Sequence, residues 1–183
     1  MGGGAAPATA FVVLVPEAEP LVAALRSRFD PSSALGVPAH ITVLHPFVPP
    51  VQLTPEVLAR AAAALFGLQP FDFLLARVQR FPGVLYLALE PAAPFVALTE
   101  ALVRAFPAFP PFGGVHDRIV PHLTVAQGDD HTLQRADTEL RAALRAHGPV
   151  AAPCRELCLL QNAGGFWREW HRLALRGQGD PVP

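Results

Sequence analysis

Apolar positions along the chain alternate between a two-residue and a three-to-four-residue period, and each change of period marks a new element. Residues 11–15 form a short apolar, β-rich run that Pro16 stops. Residues 17–29 follow with Leu21, Val22, Leu25 and Phe29 at helical spacing. Asp30-Pro31-Ser32-Ser33 and Gly36-Val37-Pro38 read as loop, and 41–44 as a strand closed by Pro46 and the Pro49-Pro50 pair. Thr54-Pro55-Glu56 predicts a helix start, with threonine as cap, proline in the first turn and an alanine-rich body to Leu65. Two strands, 71–78 and 84–89, flank a Pro82-Gly83 turn. A helix over 95–106 places Leu98, Leu102 and Val103 on one side, before an aromatic, proline-rich loop at 107–114. A strand at 123–126, an amphipathic helix at 132–146 with arginines outward, and strands at 157–160 and 173–175 complete the order. Residues 1–10 read as a flexible leader and 177–183 as a flexible tail, leaving 11–176 as one domain.

This order contains a weak internal repeat. The first unit runs strand, Pro16, helix, proline-containing loop, then Pro38-Ala39-His40-Ile41-Thr42-Val43. The second runs strand, Pro91, helix, proline-rich loop, then Pro121-His122-Leu123-Thr124-Val125. Two units of one order, each ending in His-x-Thr on a strand, predict a pseudo-symmetric fold.

Composition narrows the chemistry. At 183 residues, 51% hydrophobic and 16% charged, the chain is long enough for a core and too apolar for disorder. Fourteen basic residues against fifteen acidic give a net charge of −1, which argues against a duplex-DNA binder. All fourteen are arginine, so Schiff-base, P-loop-lysine and adenylyl-lysine chemistry are excluded. None of the three serines lies in a Gly-x-Ser-x-Gly turn, and no Gly-x-Gly-x-x-Gly run is present. His40 and His45 are five apart and would point to opposite faces of one strand, a poor metal spacing. Cys154 and Cys158, on a single strand, would lie ~13 Å apart, too far to bridge, and read as buried thiols. With no signal core and no apolar stretch of spanning length, the expected setting is soluble and cytoplasmic.

The repeated motif carries the functional reading. Alternation puts His40 and Thr42 on one strand face and Ile41 and Val43 on the other, and does the same for His122 and Thr124. If the repeats meet about a pseudo-twofold axis, two imidazoles and two hydroxyls converge on one groove. Such a set suits phosphoryl transfer. One neutral ring takes a proton from water, the other delivers one to the leaving oxygen, and the hydroxyls donate to phosphate oxygens.

These residues give the chain its resemblance to a known family. His40-Ile41-Thr42-Val43 and His122-Leu123-Thr124-Val125 resemble the paired signature of the two-histidine (2H) phosphoesterases. The wider contexts resemble the bacterial 2′-5′ RNA ligase, or RNA 2′,3′-cyclic phosphodiesterase, branch. The resemblance implies an α+β, bilobal fold: two pseudo-symmetric lobes with mainly antiparallel sheets lining a central cleft and helices outside. It implies hydrolysis of 2′,3′-cyclic phosphate ends to 2′-phosphomonoesters without metal, ATP or another cofactor, and reversible ligation as the same displacement. It further implies His40 as general acid, His122 as general base, and Thr42 and Thr124 as phosphate donors. An RNA 3′ end or a small cyclic nucleotide would be the partner of a monomeric enzyme. The same chemistry on a cyclic dinucleotide or ADP-ribose cyclic phosphate, and a non-catalytic RNA- or nucleotide-binding module, are the alternatives. One departure stands out: relatives often continue the second motif to an arginine where this chain has Gln127. Arg118, Arg168 and Arg172 are candidates to replace that charge, and Phe47, Phe109 and Phe112 are candidates to stack on a base. His116-Asp117 would line a lip of the cleft. His45 reads as packing or a local hydrogen bond, Trp167 and Trp170 as core or rim, and His131, His147 and His171 as structural or surface residues.

Overall fold

The computed structural model describes residues 7–114 and 118–177. Among these residues are eight strands and five α-helices: β1 (Ala8–Leu14), α1 (Glu19–Phe29), α2 (Pro31–Ala34), β2 (His40–Leu44), α3 (Pro55–Leu65), β3 (Phe71–Phe81), β4 (Val84–Glu90), α4 (Ala93–Ala105), β5 (His122–Gln127), α5 (Asp130–His147), β6 (Val150–Cys154), β7 (Glu156–Asn162) and β8 (Trp167–Ala174). The strands form two antiparallel sheets, ordered β2-β1-β7-β8 and β5-β4-β3-β6. The repeat is the reason for this symmetry. In each sheet the motif strand lies at one edge beside the first strand of its own unit, β2 beside β1 and β5 beside β4.

Local chemistry sets the element ends. Thr54 caps α3 by accepting from Val57 N, with Pro55 in the first turn. Asp129 caps α5 through Thr132 N at 2.8 Å. The helices tie the halves together by reaching across. The helix of the first unit, α1, approaches β5 and α5, and that of the second, α4, approaches β2 and α3. Buried Thr99 on α4 donates to the carbonyl of Val43 on β2 at 2.9 Å. One continuous core joins both halves, with Phe11, Ile41 and Val43 from the first unit and Leu87, Leu123 and Val125 from the second.

Three expectations are corrected. Residues 8–10 belong to the fold rather than to a leader: β1 begins at Ala8, and Thr9 and Ala10 are buried. Ala8–Ala10 pair with β7, and the Thr9 hydroxyl donates to Val48 O at 2.6 Å, so small residues of modest β propensity are held by register. Strand β6 was not expected, because Val150-Ala151-Ala152-Pro153-Cys154 has neither bulk nor alternation. As an edge strand paired only with β3, it tolerates Pro153. The cysteines do not share a strand: Cys154 ends β6 in one sheet, and Cys158 lies on β7 in the other. Both are buried and unbridged, and burial pushes each thiol up to about 12.

Candidate active site

Strands β2 and β5 pack beside each other where the halves meet, which brings the two His-x-Thr motifs together. Ile41, Val43, Leu123 and Val125 are buried in the core, so the intervening His40, Thr42, His122 and Thr124 face the cleft half-buried. The imidazoles are close enough that a charge on His122 disfavours one on His40. Among the described residues, neither threonine hydroxyl is engaged by another protein group, so both are available to a ligand.

The two rings are anchored identically. His40 Nδ1 lies 2.8 Å from Pro38 O, and His122 Nδ1 lies 2.7 Å from Val120 O. A carbonyl only accepts, so each Nδ1 carries its proton and each Nε2 is the nitrogen left for chemistry. A neutral ring then offers a lone pair at Nε2 and a charged ring an N–H, so either ring is preset for either role. Burial lowers His40 to about 4, with the positive charges of Arg26 and His122 adding to the effect. The Pro38 hydrogen bond and the Asp30 carboxylate oppose it. His122 is lowered by burial as well, against its hydrogen bond to Val120. Both rings are therefore neutral at pH 7 in the free protein.

Each histidine has its own surroundings. Tyr86 and Ala88 oppose Thr124 and His122 in register, and Phe81 stacks on Tyr86 with ring centres 4.3 Å apart. Both aromatic rings contact the His122 ring, at 5.2 Å for Phe81 and 5.1 Å for Tyr86. Sequence reasoning missed this wall, although Tyr86 is the chain's one tyrosine and shares its strand parity with Ala88. Behind His40 lies a buried ion pair. Arg26 donates to Asp30 Oδ2 from Nε and Nη2, at 3.0 and 2.9 Å, and also to Val37 O. A cavity of about 450 Å³ opens beside Pro38, lined in part by Leu14, Cys158, Arg172 and the carboxylates of Glu17, Glu19 and Glu156, and no motif residue belongs to it.

The remaining candidates separate. Gln127 sits on the cleft side because a bulge at Leu85/Tyr86 keeps both Val125 and Ala126 in the core. Its Nε2 donates to Asp30 Oδ1 at 3.1 Å. Arg172 shares the His40 face of its sheet, by way of Thr42, Val12 and Cys158 in register, but is held by Glu156 and Glu169. Arg168 pairs with Gln161 and lies on the opposite face, so it does not reach the cleft. Phe47 is 2% exposed and packs against Phe11, Phe106 and Phe109, so it is not placed to act as a base platform. Phe112 and Arg118 line a separate 320 Å³ pocket with Glu100 and Arg104 of α4, and no motif residue belongs to it. Phe112 holds its place through its N–H to His45 O and a left-handed φ of 50°. The His45 ring packs on Trp167 at 5.9 Å, Trp170 is exposed, and His116-Asp117 lie outside the described residues. Among the described residues, no three His, Cys, Asp or Glu side chains come together as a metal site.

A family model described as the 2′-5′ RNA ligase superfamily matches residues 14–166, a span that includes both motifs. The chain belongs to that superfamily. Membership makes it a 2H phosphoesterase. Solved structures share the superfamily fold. TT0787 of Thermus thermophilus matches with a TM-score of 0.58 at 19% identity, over 93% of this chain and 99% of its own. LigT of Escherichia coli complexed with 3′-AMP gives 0.59 at 16% identity, over 92% and 97%. LigT complexed with NADP+ gives 0.57 at 16%, over 93% and 98%. No curated protein sequence matches the chain significantly.

Proposed function

We propose that this 2H phosphoesterase hydrolyses 2′,3′-cyclic phosphate ends of RNA or nucleotides to 2′-phosphomonoesters without a metal or ATP, and that 2′-5′ ligation uses the same displacement. The observation that carries the reading is the matched pair of histidines, each with Nδ1 committed to a carbonyl and Nε2 free. Plain binding has no need of two such proton carriers. His122 Nε2 takes a proton from water as its oxygen attacks phosphorus. The P–O3′ bond breaks, and His40 Nε2–H gives its proton to the departing 3′ oxygen. Thr42 and Thr124 donate to the nonbridging oxygens, whose charge grows in the transition state. His40 has to be charged for its role, and a pKa near 4 in the free protein makes that rare at pH 7. The phosphate anion supplies the missing counter-charge and raises His40 on binding.

The test is turnover of 2′,3′-cyclic AMP and of a cyclic-phosphate-ended oligoribonucleotide in EDTA, with the product identified by phosphorus NMR. A 2′-phosphomonoester formed at an undiminished rate is expected. Strict dependence on a divalent ion, or no turnover of either substrate, would overturn the reading. Thr42→Val and Thr124→Val should each lower kcat by roughly 10–100-fold, with less change in KM, if the hydroxyls act mainly on the transition state.

A further inference from the structure

An arginine-lined groove follows the edge of the second sheet, away from the histidines. Strand β6 covers β3 only from Phe71 to Leu75, and β3 bulges between Leu75 and Arg77. Among the described residues, no strand pairs with its outer edge beyond the bulge. The groove along that edge has a volume of about 520 Å³, and its lining includes Arg77, Arg141 and Arg145 but no carboxylate. Arg141 is held in place: Nε bonds Asp137 at 3.0 and 3.1 Å, and Nη2 donates to Val78 O at 3.4 Å. Arg80 shares Asp137 at 3.5 Å, and Arg77 pairs with Glu90. Arg145 lies exposed in the last turn of α5. Four guanidiniums thus face two carboxylates in a chain whose net charge is −1.

The groove wraps the sheet edge, with Arg141 and Arg145 coming from α5 on the core face and Arg77 from the other face. Ala88 stands opposite His122 on one side and Arg77 on the other, so Arg77 projects from the His122 side of the sheet. Two strand spacings, ~10 Å, separate them, which is within a few nucleotides of the reacting phosphate. The guanidinium fork matches phosphate oxygens, and single strands are gripped by charged grooves that track the backbone.

We propose that this groove binds the sugar–phosphate backbone of single-stranded RNA upstream of the reacting end. Its direction rests on the proposed function; its chemistry does not. The enzyme then favours oligonucleotides over mononucleotides, which are too short to reach the arginines.

The experiment is fluorescence anisotropy with a labelled ten-nucleotide RNA ending in a 2′-phosphate, across a salt series, alongside the KM for 2′,3′-cyclic AMP. Arg145→Gln, and Arg141→Gln combined with it, should weaken RNA binding by about threefold and tenfold. Each lost arginine should reduce the slope of log affinity against log salt by ~0.7. The mononucleotide KM should stay within about twofold of the parent value, as expected for a ligand that does not reach the groove. Arg145 is exposed and carries the test alone if the double variant fails to fold. Unchanged RNA affinity in Arg145→Gln overturns the groove, and so does equal displacement of the RNA by a phosphopeptide of the same charge. Groove-dependent RNA binding by a protein that turns over no cyclic phosphate sustains the groove and sinks the catalytic reading instead.

Discussion

A histidine that donates from Nδ1 to a carbonyl two residues back keeps its ring fixed while its proton count changes. Both His40 and His122 do this, and the cost falls on the charged form, which burial disfavours. The consequence for stability has a definite sign. Below pH ~6.5 the unfolded chain takes up a proton at His40 that the folded protein refuses until about 4. Stability is therefore full above pH ~6.5 and falls as the pH drops through that window, by on the order of 2 kcal/mol for His40. Urea denaturation at pH 7 and pH 4.5 should show this loss, and His40→Gln should reduce it; a slope the variant leaves unchanged would contradict the burial account. Adding inorganic phosphate should raise the His40 pKa observed by NMR. At this scale the placement of the motif side chains was legible, because His-x-Thr on a strand needs only alternation to put both on one face. The contacts were not. Phe47 follows the motif closely and is aromatic, yet its surroundings are Phe11 of β1 and Phe106 just past α4, which no local pattern reveals. Phe81 and Tyr86 reach His122 only through pairing of β3, β4 and β5.

Among the elements, strands with bulky alternation and helices with caps were legible, and those defined by their partners were not. Strand β6 is strand because β3 accepts it, and Ala8–Ala10 because β7 does. Asp30 shows how one residue ties elements together. Its carboxylate receives Arg26 of α1, caps α2 through Ser32 N at 3.1 Å, and holds Gln127 at the end of β5. The Gln127 amide is thus turned toward a carboxylate. Asp30→Ala strands a buried guanidinium, 2% exposed, and should cost about 3–5 kcal/mol in urea unfolding. Thr99→Val removes the bond between α4 and β2 and should cost about 1 kcal/mol. A loss below ~1 kcal/mol for Asp30→Ala would show that the network does not join these elements.

For the whole molecule, the repeat was the most informative feature, because pseudo-symmetry is what turns two unremarkable strand histidines into one site. The two sheets, their matching orders and the crossed helices all follow from it. Net charge was less informative: a near-neutral total conceals the clustering of arginines at the β3 edge. The central claim is that both histidines act in a single displacement, and a double-variant comparison tests it most directly. His40→Ala and His122→Ala should each lower kcat for 2′,3′-cyclic AMP by ~10²–10⁴-fold, and the double variant should be scarcely worse than either. Losses that simply multiply, or a single variant that keeps near-parental turnover, would contradict the account.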